Sequence, residues 1–180
     1  MQGYYGSRKL KQGNISIEQA EKELNSPLAF ANILLKNNFA DGIIAGSVYT
    51  TTDVLRNAIR IIGLKDSNKT VSSFFLFTFP KESIHRNRIL AYADCGVLPN
   101  PTAEQLSDIA IQTSENYEKL TGITARTAFL SFSTKGSAKD DSLNKIIEAL
   151  NITKQRRPDL ICDGELQFDA AFITKVAQRK

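Results

Sequence analysis

Apolar residues recur at helical intervals near the start of the chain. Over 14–24, Ile17, Ala20 and Leu24 share one face, and Ser16 stands where a side-chain oxygen accepts an N–H at a helix start. The pattern repeats over 26–39, with Pro27 at the first helical position, where its missing N–H costs nothing. A short apolar run bounded by glycine, 40–46, then predicts a parallel strand covered on both faces. Leu55, Ile59 and Ile62 restore the helical period over 51–63, with a Thr-Thr-Asp opening suited to capping and Gly63 as a stop.

A polar break at 66–70 separates this from a different texture. Two strand-like runs, the phenylalanine-dense 71–79 and then 85–96, predict a hairpin or neighbouring strands. Pro99 and Pro101 exclude helix until Thr102 caps one that runs to about Leu120 and is closed by Gly122. A strand over 124–133, a helix over 139–156 ending before Pro158, a strand over 159–166 and a helix over 169–180 follow. Strand alternating with helix predicts an α/β fold with a parallel or mixed sheet, and the change of texture divides the chain into domains 1–65 and 66–180.

At 180 residues the chain can bury a substantial core, and 42% hydrophobic with 23% charged residues excludes disorder and coiled coil. No apolar run approaches the roughly 18 residues that span a bilayer, and the first residues lack a secretory apolar core, so the expected location is cytoplasmic, with no membrane partner. Cys95 and Cys162 have no second cysteine or histidine at metal spacing, which excludes a structural zinc site on ligand count. The net charge of +4 is scattered among acids, with no nucleic-acid-binding motif. A basic cleft for a phosphorylated small molecule is the better use of that charge.

In open α/β sheets ligands bind where strands run into helix N-termini, which selects four loops here. In 45–56, Gly46 permits close backbone approach, Ser47, Thr50, Thr51 and Thr52 offer hydroxyls, and Arg56 lies a turn inside; the alternative is plain helix capping. In 131–139, Ser131, Ser133, Thr134 and Ser137 supply hydroxyls, Gly136 a turn, and Lys135 or Lys139 charge; a phosphate cradle and an ordinary capped turn both fit, and the spacing is not that of a nucleoside-triphosphate loop. Asp94 and Cys95 end a strand, with Cys95 expected as a small buried thiol and His85, the sole histidine, as a surface residue instead of its base. Asp163, Glu165 and Asp169 gather after a strand, open to a metal, a general base or, for Asp169, a helix cap. Arg8, in a basic run, is a solvated charge or an anion contact.

The stretches YYGSRKLKQG, ADGIIAGSVYTTTDVLRNAIRIIG, ADCGVLPNPTAEQLSDIAIQTSE, LSFSTKGSAK and RPDLICDGELQFDAAF occur in one order across nearly the whole chain. Together they resemble the phosphate acetyltransferases of the phosphate acetyl/butyryltransferase family. The resemblance implies a three-layer α/β sandwich with a mostly parallel sheet and a two-domain cleft. It also implies acetyl transfer between coenzyme A and inorganic phosphate, with acetyl-CoA and phosphate as substrates and no metal or other cofactor. Arg8 and Arg56 fall on family arginines that bind coenzyme A or the acyl phosphate, and Ser133, Thr134, Lys135, Gly136 and Ser137 on its small polar loop.

Family members also begin with further strand–helix units and continue past Lys180 to a Pro-Val-Asn-Asp-Leu-Ser-Arg-Gly motif whose serine and arginine, with a later aspartate, act on the thiol and acyl phosphate. The expectation is therefore a truncated chain with an incomplete first domain, most of the second, no assigned catalytic residue, unpaired sheet edges and little activity alone. It would pair as a homodimer or with a complementing chain. The alternatives are a coenzyme A- or phosphate-binding fragment and a butyryl-transferring enzyme.

Overall fold

The computed structural model describes residues 16–65 and 69–179. The chain divides into two compact units, Met1–Asp66 and Ser67–Lys180.

The described part of the first unit is helical: α1 (Ile17–Leu24), α2 (Pro27–Lys36) and α3 (Thr51–Ile61). Its small core is Ala29, Ile33 and Ile61, with Leu24 packed against it. Buried Asn32 is tolerated because its amide donates to the Leu28 carbonyl at 2.8 Å. The strand expected over 40–46 is not there; the segment is irregular, with Ile44 fully exposed and Val48 84% exposed. A parallel strand is held by ladders to its neighbours, and among the described residues of this unit there is no strand to pair with. In α3, Ile61 alone is fully buried and Val54, Leu55 and Ala58 are half-buried, while Ile59, expected to face inward, is 46% exposed.

In the second unit, β1 (Phe74–Thr78) and β2 (Ile89–Ala93) form an antiparallel hairpin in register Phe74↔Ala93 to Thr78↔Ile89. Helix α4 (Ala103–Thr121) opens with a reciprocal capping box between Thr102 and Gln105, and ends at Gly122, whose φ of 70° is the left-handed conformation such an ending needs. Strand β3 (Arg126–Leu130), helix α5 (Asp141–Arg156, capped by Asp140) and strand β4 (Ile161–Leu166) form a βαβ unit, with β3 and β4 parallel from Arg126↔Ile161 to Phe129↔Gly164 and a bulge at Phe129/Leu130. The described strands thus make two two-stranded sheets, β1–β2 and β3–β4, one antiparallel and one parallel.

The helix expected over 169–180 is two short ones, α6 (Phe168–Phe172) and α7 (Thr174–Ala177), because Ile173 is extended (φ −108°, ψ 108°). Ala103, Ala110, Phe129, Ala149 and Leu150 form the core, and Leu106, Ile146, Ile152 and Cys162 pack on it. Small residues let α4 and α5 approach closely enough for a buried hydrogen bond from Thr153 Oγ1 to Ser107 Oγ at 2.9 Å. Among the described residues no helix is long and apolar enough to cross a membrane.

Candidate functional site

The strand expected over 124–133 stops at Leu130, and the chain curls into a polar loop closed by the following strand. Ser131 Oγ donates to the Ser133 carbonyl at 2.7 Å and accepts the Ser133 N–H at 2.8 Å. Lys135 and Gly136 both have positive φ, 49° and 80°. Two successive left-handed residues turn the backbone sharply, a geometry glycine takes freely and lysine only when its surroundings hold it.

Glu165, on β4 and only 4% exposed, supplies that hold. One of its carboxylate oxygens accepts the Ser133 hydroxyl at 2.9 Å and the Gly136 N–H at 2.7 Å, and its carbonyl accepts the Lys135 N–H at 3.1 Å. Within the loop, the Thr134 N–H donates to Ser137 Oγ at 3.0 Å and the Ala138 N–H to Ser133 Oγ at 3.2 Å, while Thr134 Oγ1 accepts the Gln167 N–H at 2.9 Å. The Gly136 N–H expected to face an anion therefore already serves a carboxylate. Gly164 makes the approach possible, because a Cβ there would lie 2.7 Å from Phe129 Cβ.

The Gly136 N–H and Ser133 hydroxyl hold the Glu165 carboxyl below the usual glutamate range, against a smaller opposing effect of burial. At the rim, the Lys135 ammonium donates to Asp163 and, at 3.0 Å, to the Gly164 carbonyl. Burial pushes the Asp163 carboxyl up, but the Lys135 hydrogen bond and the Gly164 N–H outweigh it and the net direction is down. An incoming anion meets exposed Ser137 and a lysine that it must share with Asp163 or take from it.

The other hydroxyl-bearing loop, before α3, is built more simply. Thr50 caps the helix by accepting the Asp53 N–H at 3.1 Å and donates its own hydroxyl to Asp53 at 2.7 Å. Arg56 lies 3.3 Å from the same carboxylate with its side chain 67% exposed, so its guanidinium faces solvent and is only loosely held. Arg8 lies outside the described residues.

The remaining candidates do not converge. Asp94 accepts the Ser73 hydroxyl and the N–H groups of Gly96, Val97 and Leu98 at 2.8–3.1 Å, which makes it the organiser of its turn. Burial raises its pKa, and these hydrogen bonds together override it and bring it down. Cys95 is half-buried, with its thiol on the Tyr92 carbonyl at 2.8 Å. His85, expected in solvent, is half-buried and packs edge-on against Phe79 and against Phe172 of α6, two rings that stack on each other. The expected carboxylate cluster resolves into separate duties: Asp163 on Lys135, Glu165 on the loop, and Asp169 in the first turn of α6, accepting the Ala170 N–H, while Gln167 takes the capping position. Gln167 and Gly164 were not singled out from sequence. A glycine inside a strand was the available signal for the second.

Comparisons with known proteins now bear on this geometry. Residues 2–180 match the family described as Phosphate acetyl/butaryl transferase. A phosphate acetyltransferase of Clostridium acetobutylicum is 45% identical over 177 residues, 98% of this chain and 53% of the relative. The crystal structure of a phosphotransacetylase from Streptococcus pyogenes superposes with a TM-score of 0.85 at 35% identity, over 99% of this chain and 52% of that one. The EutD phosphotransacetylase from Staphylococcus aureus does so with a TM-score of 0.81 at 34% identity, over 94% and 50%. The chain spans about half the length of these relatives, and it belongs to the phosphate acetyl/butaryl transferase family.

Proposed function

We propose, with family membership as the premise, that this chain takes part in acetyl transfer between coenzyme A and inorganic phosphate. The observation that carries the reading is the match over residues 2–180 to a family whose cited relatives are named for this activity. In the reaction the coenzyme A sulfur attacks the acyl carbonyl carbon of acetyl phosphate, the carbon–oxygen bond to phosphate breaks, and the thiol proton passes to a base. Coenzyme A is a substrate here, and the reading includes no metal or other cofactor. On this reading the protein works in the cytoplasm, and the second unit is part of a three-layer sandwich with a mostly parallel sheet.

In this reading Arg56 and Arg8 supply planar donors for phosphate oxygens. Ser133, Thr134, Lys135, Gly136 and Ser137 of the second unit form a polar loop that offers Lys135 and Ser137 at its surface. Asp94, Asp163 and Glu165 are each already engaged by hydrogen bonds, which favours none of them as the proton acceptor. All three are held below the ordinary carboxylate range, whereas a base for a thiol of pKa about 8.5 works best near neutrality. The 180-residue chain alone is then weakly active or inactive and works with a second copy or a complementing chain.

Acetyl-CoA formation from acetyl phosphate and coenzyme A by the purified chain tests this. The expected rate is about 100-fold or more below that of the Clostridium enzyme, the usual scale of a lost proton-transfer group; an equal rate would overturn it. A second reading, binding without turnover, draws on the same three carboxylates, each already engaged by neighbouring donors. Calorimetric titration with coenzyme A separates the two: heat of binding without turnover favours the second.

A further inference from the structure

The backbone donors of loop 133–138 all point into the protein. Ser131 Oγ accepts the Ser133 N–H at 2.8 Å, Ser137 Oγ that of Thr134 at 3.0 Å, and the Glu165 carbonyl that of Lys135 at 3.1 Å. The Glu165 carboxylate accepts the Gly136 N–H at 2.7 Å, the Thr134 carbonyl that of Ser137 at 3.1 Å, and Ser133 Oγ that of Ala138 at 3.2 Å.

The hydroxyl protons follow from the same network. A serine has one proton to donate. Ser133 gives its own to Glu165 at 2.9 Å, a carboxylate that the loop holds ionised at neutral pH and that can only accept. In the 3.3 Å contact between Ser133 Oγ and Ser137 Oγ, Ser137 is therefore the donor. The Thr134 hydroxyl turns inward too, to Gln167 Oε1 at 3.4 Å. Ser137, exposed, uses one lone pair on the Thr134 N–H and keeps the other.

The charges of the loop rim agree with this polarity. Two carboxylates, Asp163 and Glu165, stand against one ammonium bonded to them, that of Lys135, which also donates to the Gly164 carbonyl. A phosphate group would find no donor left free among the amides and hydroxyls of 133–138, and a carboxylate in excess. An uncharged N–H would find a free lone pair.

We infer that Ser137 accepts a hydrogen bond from a secondary-amide N–H of the ligand, which for coenzyme A is an N–H of its uncharged pantetheine arm and not its phosphates. The identity of the ligand rests on the proposed function; the polarity of Ser137 rests on the loop alone.

The test titrates the purified chain by calorimetry with coenzyme A and with two analogues, in which an ester oxygen replaces one or the other pantetheine N–H and turns a donor into an acceptor. In the wild type one analogue should bind about tenfold more weakly than coenzyme A, because two lone pairs then face each other. In Ser137→Ala that difference should shrink to less than about twofold, and Ser137→Thr, which keeps the hydroxyl, should restore it. A loop merely loosened by the substitution would weaken every ligand alike. Inorganic phosphate should bind the wild type and Ser137→Ala equally. Analogues that both bind as coenzyme A does, a loss in Ser137→Ala equal to that in the wild type, or phosphate binding weakened by Ser137→Ala would each overturn the inference and leave the proposed function standing. No heat with coenzyme A would overturn the inference together with the coenzyme A site of the proposed function. The expected difference without acetyl transfer keeps the inference and favours binding without turnover.

Discussion

The two hydroxyl-rich loops read alike in sequence and differ in structure. Loop 131–138 and loop 45–50 each combine glycine, serine and threonine ahead of a helix. In the first, Ser133 is fully buried and Thr134 nearly so, and the amides of Thr134, Lys135, Gly136 and Ala138 all have acceptors. In the second, Val48 is largely exposed, and among the described residues the N–H groups of Ser47, Val48 and Tyr49 have no acceptor. What separates them is one side chain from another element. Glu165 reaches the first loop from β4, and the described residues bring nothing equivalent to the second. Hydroxyls and a glycine permit a preformed loop; a buried acceptor from a neighbouring strand makes one.

Removing that acceptor should have the largest effect. Glu165→Ala leaves the Ser133 hydroxyl and the Gly136 N–H without their acceptor, and should cost about 2–6 kcal/mol in urea unfolding, at about 1–3 kcal/mol for each donor left unmet. Glu165→Gln, which keeps an oxygen, should cost about half as much. Next is Gly164→Ala, whose new Cβ would sit 2.7 Å from Phe129 Cβ and 3.1 Å from its carbonyl. Spreading β3 from β4 should cost about 1–3 kcal/mol and expose loop 131–138 to proteolysis.

Acid should act on the same loop. The folded-state pKa of Glu165 lies below its ordinary value, so the stability it adds is complete above about pH 4.3 and is lost as pH falls through the depressed value. Urea midpoints from pH 7 to pH 3 should fall in the wild type and fall less in Glu165→Gln. In the other loop the effects are smaller. Thr50→Ala removes the cap of α3 and should cost about 1 kcal/mol, and Arg56→Ala should change stability by less than about 0.5 kcal/mol while weakening any coenzyme A binding seen in calorimetry.

Much of this architecture was legible where the cause is local. Thr102, Gly122 and Pro27 mark their helix ends within a few residues of sequence, and these ends stand as expected. The segment 40–46 was not, because a parallel strand depends on neighbours that a local pattern does not contain. Neither was the duty of Glu165: it lies 29 residues after Gly136, and its sequence neighbours Asp163 and Asp169 suggested a shared site, whereas the fold gives each carboxylate its own partner. Ile59 and Ile61 show the same limit, since helical spacing names a face but the packing partner chooses which residue of the last turn goes inside.

The most direct measurement of the central claim is amide hydrogen exchange compared between Gly136 and Val48 in the wild type and in Glu165→Gln. Preorganisation by Glu165 predicts slow exchange at Gly136, fast exchange at Val48, and a rise at Gly136 alone in the variant. Equal rates at the two positions in the wild type, or a Gly136 rate unchanged by Glu165→Gln, would contradict it.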